Sequence, residues 1–130
     1  MLENVVLDIV DLMLESIKLV HERFLGIKTP EDFVSTSQGV TLLDAISMRL
    51  QVIGESVKRI QKVDPALLQE YPEIEWDKIA RFRDLVSHHY EHVDHELGFD
   101  ICKRHVPDLE MGIQRLCRRY AQGGGSESKP

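Results

Sequence analysis

The chain has 130 residues and a formal net charge of −6 at pH 7, with a pI near 5.5. This length is typical of one domain whose core is large enough for independent folding. The acidic balance excludes a generic nucleic-acid coat protein, which is basic over a whole face, but it allows a local basic cleft.

The first predicted element is an amphipathic helix over 2–25, because its apolar residues recur at intervals of three and four. These residues are Val5, Val6, Ile9, Leu12, Met13, Ile17, Val20 and Phe24. Gly26 ends this helix, and Thr29 caps a short second element in which Pro30 takes the first position. A long helix follows over about 37–63. Its predicted buried stripe consists of Val40, Leu43, Ile46, Leu50, Ile53, Val57 and Ile60.

The second half of the chain contains shorter predicted helices. Asp64 and Pro65 begin one that runs to about Glu70, and Pro72 interrupts the chain before Trp76 opens another, predicted to end near 90–93.

Asp94 caps the next predicted helix, which runs to about Val106. After Pro107, Asp108 caps a last helix that ends near Ala121. No alternating β-branched run bounded by turn residues is present. The sequence therefore predicts an all-α bundle of about four to five main helices.

The domain boundaries follow from composition. Residues 1–121 form the predicted helical domain, and the Gly/Ser-rich tail at 122–130 is expected to be disordered because it has no apolar anchor. Cys102 and Cys117 have neither a CxxC nor a zinc-site spacing, so we expect reduced thiols. No basic and apolar leader and no membrane span is evident. We therefore expect a cytoplasmic protein that does not enter a membrane.

The most chemically loaded stretch is 81–96, which includes two arginines, four histidines, a tyrosine and several carboxylates. On a helix Asp84 lies one turn before His88, where its carboxylate can accept a ring N–H and fix the tautomer. Arg83 lies on a neighbouring stripe and can hold an anion beside the imidazole. These residue types predict acid–base chemistry on a phosphate.

Three ordered blocks carry a resemblance to a known family. The motif at 83–90, Arg-Asp-Leu-Val-Ser-His-His-Tyr, resembles the Arg-polar-three-residues-His-x-Tyr motif of HEPN domains, and specifically of HepT-like toxins. The stretches at 50–55 (Leu-Gln-Val-Ile-Gly-Glu) and 71–80 (Tyr-Pro-Glu-Ile-Glu-Trp-Asp-Lys-Ile-Ala) are similar to the family as well.

This resemblance implies a homodimer of HEPN-type helical bundles whose two motifs meet in a cleft and cleave RNA without a metal or cofactor. By the same resemblance Arg83 holds the scissile phosphate, His88 acts as general acid or base, and Asp84 orients His88. The 2′-hydroxyl of the RNA is the implied nucleophile. The protein would be the toxin of a type VII-like toxin–antitoxin module, and a nucleotidyltransferase antitoxin (MNT) would silence it by attaching AMP to Tyr90.

Lys78, Arg81 and Ser87 are candidate RNA contacts beside this motif, although solvated surface charge is the simpler interpretation of Lys78 and Arg81. His89 competes with His88 as the catalytic imidazole, because the looser family spacing fits both, and the His-x-Tyr relation favours His88.

Two other functions use the same stretch. His88, His92 and His95 recur at helical spacing, with Glu91 and Glu96 nearby, and such a set can bind zinc or another divalent ion. Alternatively, the motif is a partner-binding surface of a non-catalytic dimeric adaptor, to which an acidic all-helical chain is equally suited.

Overall fold

The computed structural model describes residues 2–82 and 94–127, and this part of the chain contains helices and no strand. The elements are α1 (Leu2–Phe24), a 3-10 helix (Pro30–Phe33), α2 (Ser37–Val63), α3 (Pro65–Gln69), α4 (Trp76–Ala80), α5 (His95–Asp100), a π-helical segment (Ile101–His105) and α6 (Val106–Glu127). The predicted all-α fold is confirmed.

The bundle is built on α1 and α2, which pack along most of their length. Arg23 donates to the carbonyl of Ala45, and Arg49 donates to the hydroxyl of Ser16, so the two helices run antiparallel. Most of the predicted apolar positions of the two helices are buried, but Val5 and Leu12 of α1 are 41% and 38% exposed. Val40, which the pattern assigned to the buried stripe, is 43% exposed, so the buried side of α2 does not extend to this position.

The connection between α1 and α2 is fixed by hydrogen bonds within the backbone and to one carboxylate. Oδ2 of Asp32 accepts the backbone N–H groups of Lys28 and Thr29, at 2.7 and 3.0 Å. These bonds hold the pKa of Asp32 below its usual value. Thr36 caps α2 by accepting the N–H of Gly39 at 2.9 Å, and a Cβ at Gly39 would overlap the backbone oxygen of Asp32.

From Asp94 onwards, the predicted helix start is confirmed, but the helix boundary predicted at Pro107 is wrong. Oδ1 of Asp94 accepts the N–H of Leu97 at 3.0 Å, which confirms the N-cap of α5. A break at Pro107 and a new cap at Asp108 were expected, but a π-helical segment leads directly into α6 at Val106. Proline has no N–H to donate and its ring crowds the preceding turn, and a widened turn relieves both problems.

The helix α6 continues to Glu127, beyond the predicted end near Ala121. The division into a domain at 1–121 and a disordered tail at 122–130 stays a prediction. Both cysteines are free thiols, as expected: burial raises the pKa of Cys102 to about 12, and Cys117 is half-buried. Each helix in the described ranges is too short or too polar to traverse a lipid bilayer.

Candidate functional site

The central motif lies outside the described residues, and the structure describes the chain on both sides of it. The predicted catalytic residues Arg83, Asp84 and His88, the predicted AMP acceptor Tyr90 and the predicted RNA contact Ser87 all belong to this segment. The described flanks of the motif end at Phe82 and begin again at Asp94.

The preceding flank is anchored by its apolar residues. Phe82, the neighbour of Arg83 in sequence, is fully buried, and Ile79 is 2% exposed. The indole N–H of Trp76 donates to the carbonyl of Tyr71 at 3.0 Å, which ties the start of α4 to the loop before it. The helix α4 ends at Ala80, earlier than the predicted end near 90–93. The chain thus reaches the motif from a firmly packed position.

Ion pairs from α6 hold the same loop from the outside. Arg115 donates to Glu73 at 2.6 Å and its guanidinium lies 5.3 Å above the ring of Tyr71, while Arg119 pairs with Glu70. A backbone hydrogen bond and the bond from Arg115 lower the pKa of Glu73. Because these side chains are about half exposed, solvent screens both pairs and each contributes little to stability.

An open groove of about 970 Å³ runs along the C-terminal end of α2, past α3 and α4, and reaches the motif flank at Arg81. Its lining residues are Gln61, Pro65, Leu68, Gln69, Pro72, Ile74, Glu75, Trp76, Asp77, Lys78 and Arg81. Lys78 and Arg81, the two described RNA-contact candidates, therefore share one concave surface.

The groove is electrically mixed. Glu75 and Asp77 offset the charges of Lys78 and Arg81, and Asp77 accepts a hydrogen bond from Nε2 of Gln61 at 3.4 Å. Sequence reasoning missed these carboxylates and the amide, because they come from separate elements and no local pattern connects them. Cations that bind phosphates, carboxylates that accept amino groups and apolar walls are together suited to a nucleotide chain.

The following flank brings together part of the histidine-rich stretch. Side-chain ligand atoms of His95, Glu96 and Glu31, the last from the 3-10 helix, lie within 4.8 Å of one another. Two carboxylates and an imidazole can hold a divalent ion. The sequence-based metal hypothesis used His95 and Glu96 but not Glu31, and its other members, His88, Glu91 and His92, lie outside the described residues. Glu31 and Glu96 are exposed.

His105 joins the two flanks and was not singled out from the sequence. Its ring is packed edge-on against Phe82, with 6.1 Å between the ring centres. Its Nδ1 lies 3.7 Å from Glu75 and its Nε2 lies 3.8 Å from Asp100. One imidazole thus contacts the residue before the motif, the groove and the end of α5.

Residues 13–116 match the family model described as "Ribonuclease HepT-like". A protein of Methanocaldococcus jannaschii named "Gamma-glutamylcyclotransferase and putative RNase" is 31% identical over 104 residues, which cover 80% of this chain and 44% of that protein. A "Probable ribonuclease HepT" of Thermococcus cleftensis is 33% identical over 72 residues, 55% of this chain and 63% of that protein. The chain thus spans about half the length of these relatives. No solved structure matches it.

Proposed function

The chain belongs to the family of HepT-like ribonucleases, and on that premise we propose that it is a metal-independent endoribonuclease. The observation that carries the proposal is the family match over 13–116, because this range includes the whole motif at 83–90 and the groove beside it. The names of both relatives refer to RNA cleavage, which supports the same reaction class.

The proposed reaction is attack of the RNA 2′-hydroxyl on the adjacent phosphorus. The new O–P bond forms a 2′,3′-cyclic phosphate while the bond to the 5′-oxygen breaks. The 2′-hydroxyl loses a proton and the leaving 5′-oxygen gains one, so the step consumes no net proton. His88 carries out one of these two transfers, as general base or general acid, and water carries out the other; such catalysis is typically worth about 10²- to 10⁴-fold in rate. Arg83 stabilises the charge that develops on the phosphoryl oxygens. Asp84 holds the imidazole in the required tautomer.

The groove supplies the path for RNA on the preceding side of the motif. Lys78 and Arg81 attract the phosphates there, and Ser87 in the motif adds a hydrogen-bond donor. Two copies of the chain form the active dimer, and their motifs face a shared cleft. Local cations of this kind are compatible with the net charge of −6.

We place this nuclease in a type VII-like toxin–antitoxin module, with a nucleotidyltransferase as its antitoxin. AMP attached to Tyr90 would bring a phosphate into the cleft, where it repels RNA and occupies Arg83. The support for this step is the motif, in which the tyrosine follows His88 by two positions.

The test is cleavage of mixed RNA in excess EDTA by wild type, Arg83→Ala and His88→Ala, with His89→Ala as the matched control. Intact mass is measured for every sample, because protein already carrying AMP would be inactive for another reason. We expect cyclic-phosphate ends from wild type and His89→Ala, and no cleavage by the other two variants.

Three outcomes contradict parts of this proposal. No cleavage by wild type of unmodified mass favours the adaptor function. Cleavage that stops in EDTA and returns with a divalent ion contradicts metal independence. Loss of activity in His89→Ala but not in His88→Ala moves the catalytic imidazole by one position.

A further inference from the structure

His105 lies where both flanks of the motif meet. Its side chain is only 15% exposed, whereas Glu75 and Asp100 beside it are 63% and 44% exposed. Glu75 directly precedes α4, Asp100 ends α5, and the ring contacts the fully buried Phe82. The imidazole thus links α4, which leads to the motif, with α5, which follows it.

The contacts of His105 combine packing with charge. The edge of its ring meets Phe82 at an interplanar angle of 64°, an arrangement that aromatic pairs favour. The separations of 3.7 and 3.8 Å from the two carboxylates exceed hydrogen-bond length, so these contacts are ion pairs only when the imidazole is protonated. Asp100 also pairs with Arg104, through its other oxygen, at 3.0 Å.

The local backbone explains how His105 comes to face this junction. It is the last residue of the π-helical segment, in which each turn holds more residues than an α-turn. The extra width rotates the residues before the segment relative to those after it. Val106 and Leu109 of α6 consequently lie in the hydrophobic core. His105 lies against Phe82, between the carboxylates of Glu75 and Asp100.

We propose that His105 is a positioning residue for the motif: it joins Phe82, Glu75 and Asp100 and so fixes the two flanks relative to each other. Its proposed action is through Phe82, Glu75 and Asp100. The catalytic part of this inference rests on the proposed ribonuclease function, because a misplacement of the motif by about 1 Å can cost about 100-fold in rate.

The test compares His105→Ala, which removes both kinds of contact, with His105→Phe, which keeps a ring against Phe82 and removes the nitrogens. Arg104→Gln is the matched control, because Arg104 also pairs with Asp100 but is 76% exposed. For each protein, kcat and KM for RNA, the melting temperature and hydrogen exchange of the peptide covering 83–93 are measured.

We expect His105→Ala to lower kcat by about 10- to 100-fold with KM within about twofold, and to speed exchange in that peptide. His105→Phe should recover part of the loss, and Arg104→Gln should behave as wild type. A double-mutant cycle of His105→Ala with Glu75→Gln should be non-additive in kcat, because the two side chains act together.

The inference is overturned if His105→Ala leaves both kcat and exchange unchanged, or if Arg104→Gln causes an equal loss. It is also overturned if KM rises and kcat stays constant, since that result indicates RNA contact. If wild type cleaves no RNA, the proposed function fails, and hydrogen exchange alone still decides the role of His105.

Discussion

If RNA follows the groove, the cations of the groove should determine how strongly RNA binding depends on salt. Lys78 and Arg81 are the two cations among the groove's described lining residues, and replacing both with Gln should weaken RNA binding and reduce the dependence of binding on salt. Each phosphate of a single strand that a protein neutralises contributes about 0.7 to the slope of log K against log salt, so the slope should fall by about 1.4. At about 0.1 M salt this corresponds to about 25-fold weaker binding.

The assay is fluorescence anisotropy with an RNA oligonucleotide whose 2′-hydroxyls are methylated, so that binding is measured without cleavage. The matched control is the pair Arg104→Gln and Arg118→Gln, which removes the same charge from exposed positions outside the groove lining. Asp77→Asn should have the opposite effect and tighten binding, because it removes a negative charge from the groove. Equal slope changes in the groove variant and the control would refute the groove as the RNA path.

Three further predictions concern stability and reactivity. Gly39→Ala should lower the free energy of unfolding by about 1–3 kcal/mol and the melting temperature by about 4–11 °C, because the new Cβ would overlap the backbone oxygen of Asp32. The control Gly26→Ala should be close to neutral, because its Cβ would meet no atom within 4 Å. Equal melting temperatures of the two variants would contradict this packing. Wild type should be more stable than Asp32→Asn at neutral pH, because folding lowers the pKa of Asp32. This stability difference should disappear as the pH falls below 3.8 and through the lowered pKa of the folded state. A difference in melting temperature that does not change with pH would exclude this role of Asp32. A thiol reagent at pH 8 should modify Cys117 well before Cys102, as peptide mass mapping would show, because only Cys102 is buried with a pKa of about 12.

The parts of the fold that the sequence predicted well are those determined by neighbouring residues. The bounds of α2 depend on the cap at Thr36 and on Pro65 just after its end, and both signals lie within a few positions of the helix. The cap at Asp94 is local in the same way. Val40 was assigned wrongly because periodicity identifies one side of a helix but not how far a neighbouring helix covers it.

The π-helical segment shows a different limit of sequence reasoning. Pro107 favours a helix boundary, and the sequence offered no reason to choose a widened turn over a break. That choice depends on Ile101, Val106 and Leu109, which must all reach the core from one continuous helical path. The groove was missed for a related reason, since Gln61 and Asp77 meet only after α2 and α4 pack together.

The two proposals assign different tasks to the flank before the motif. Lys78 and Arg81 line the groove, where their charges are proposed to contact RNA. Phe82 is buried against His105, and its proposed role is to hold the motif in position. Arg81 and Phe82 are adjacent in sequence, so the boundary between binding and positioning falls between two neighbouring residues. Substitutions at 78 and 81 should therefore act on the dissociation constant, and substitutions at 105 on kcat. The two effects should add, because they change different parameters of the reaction.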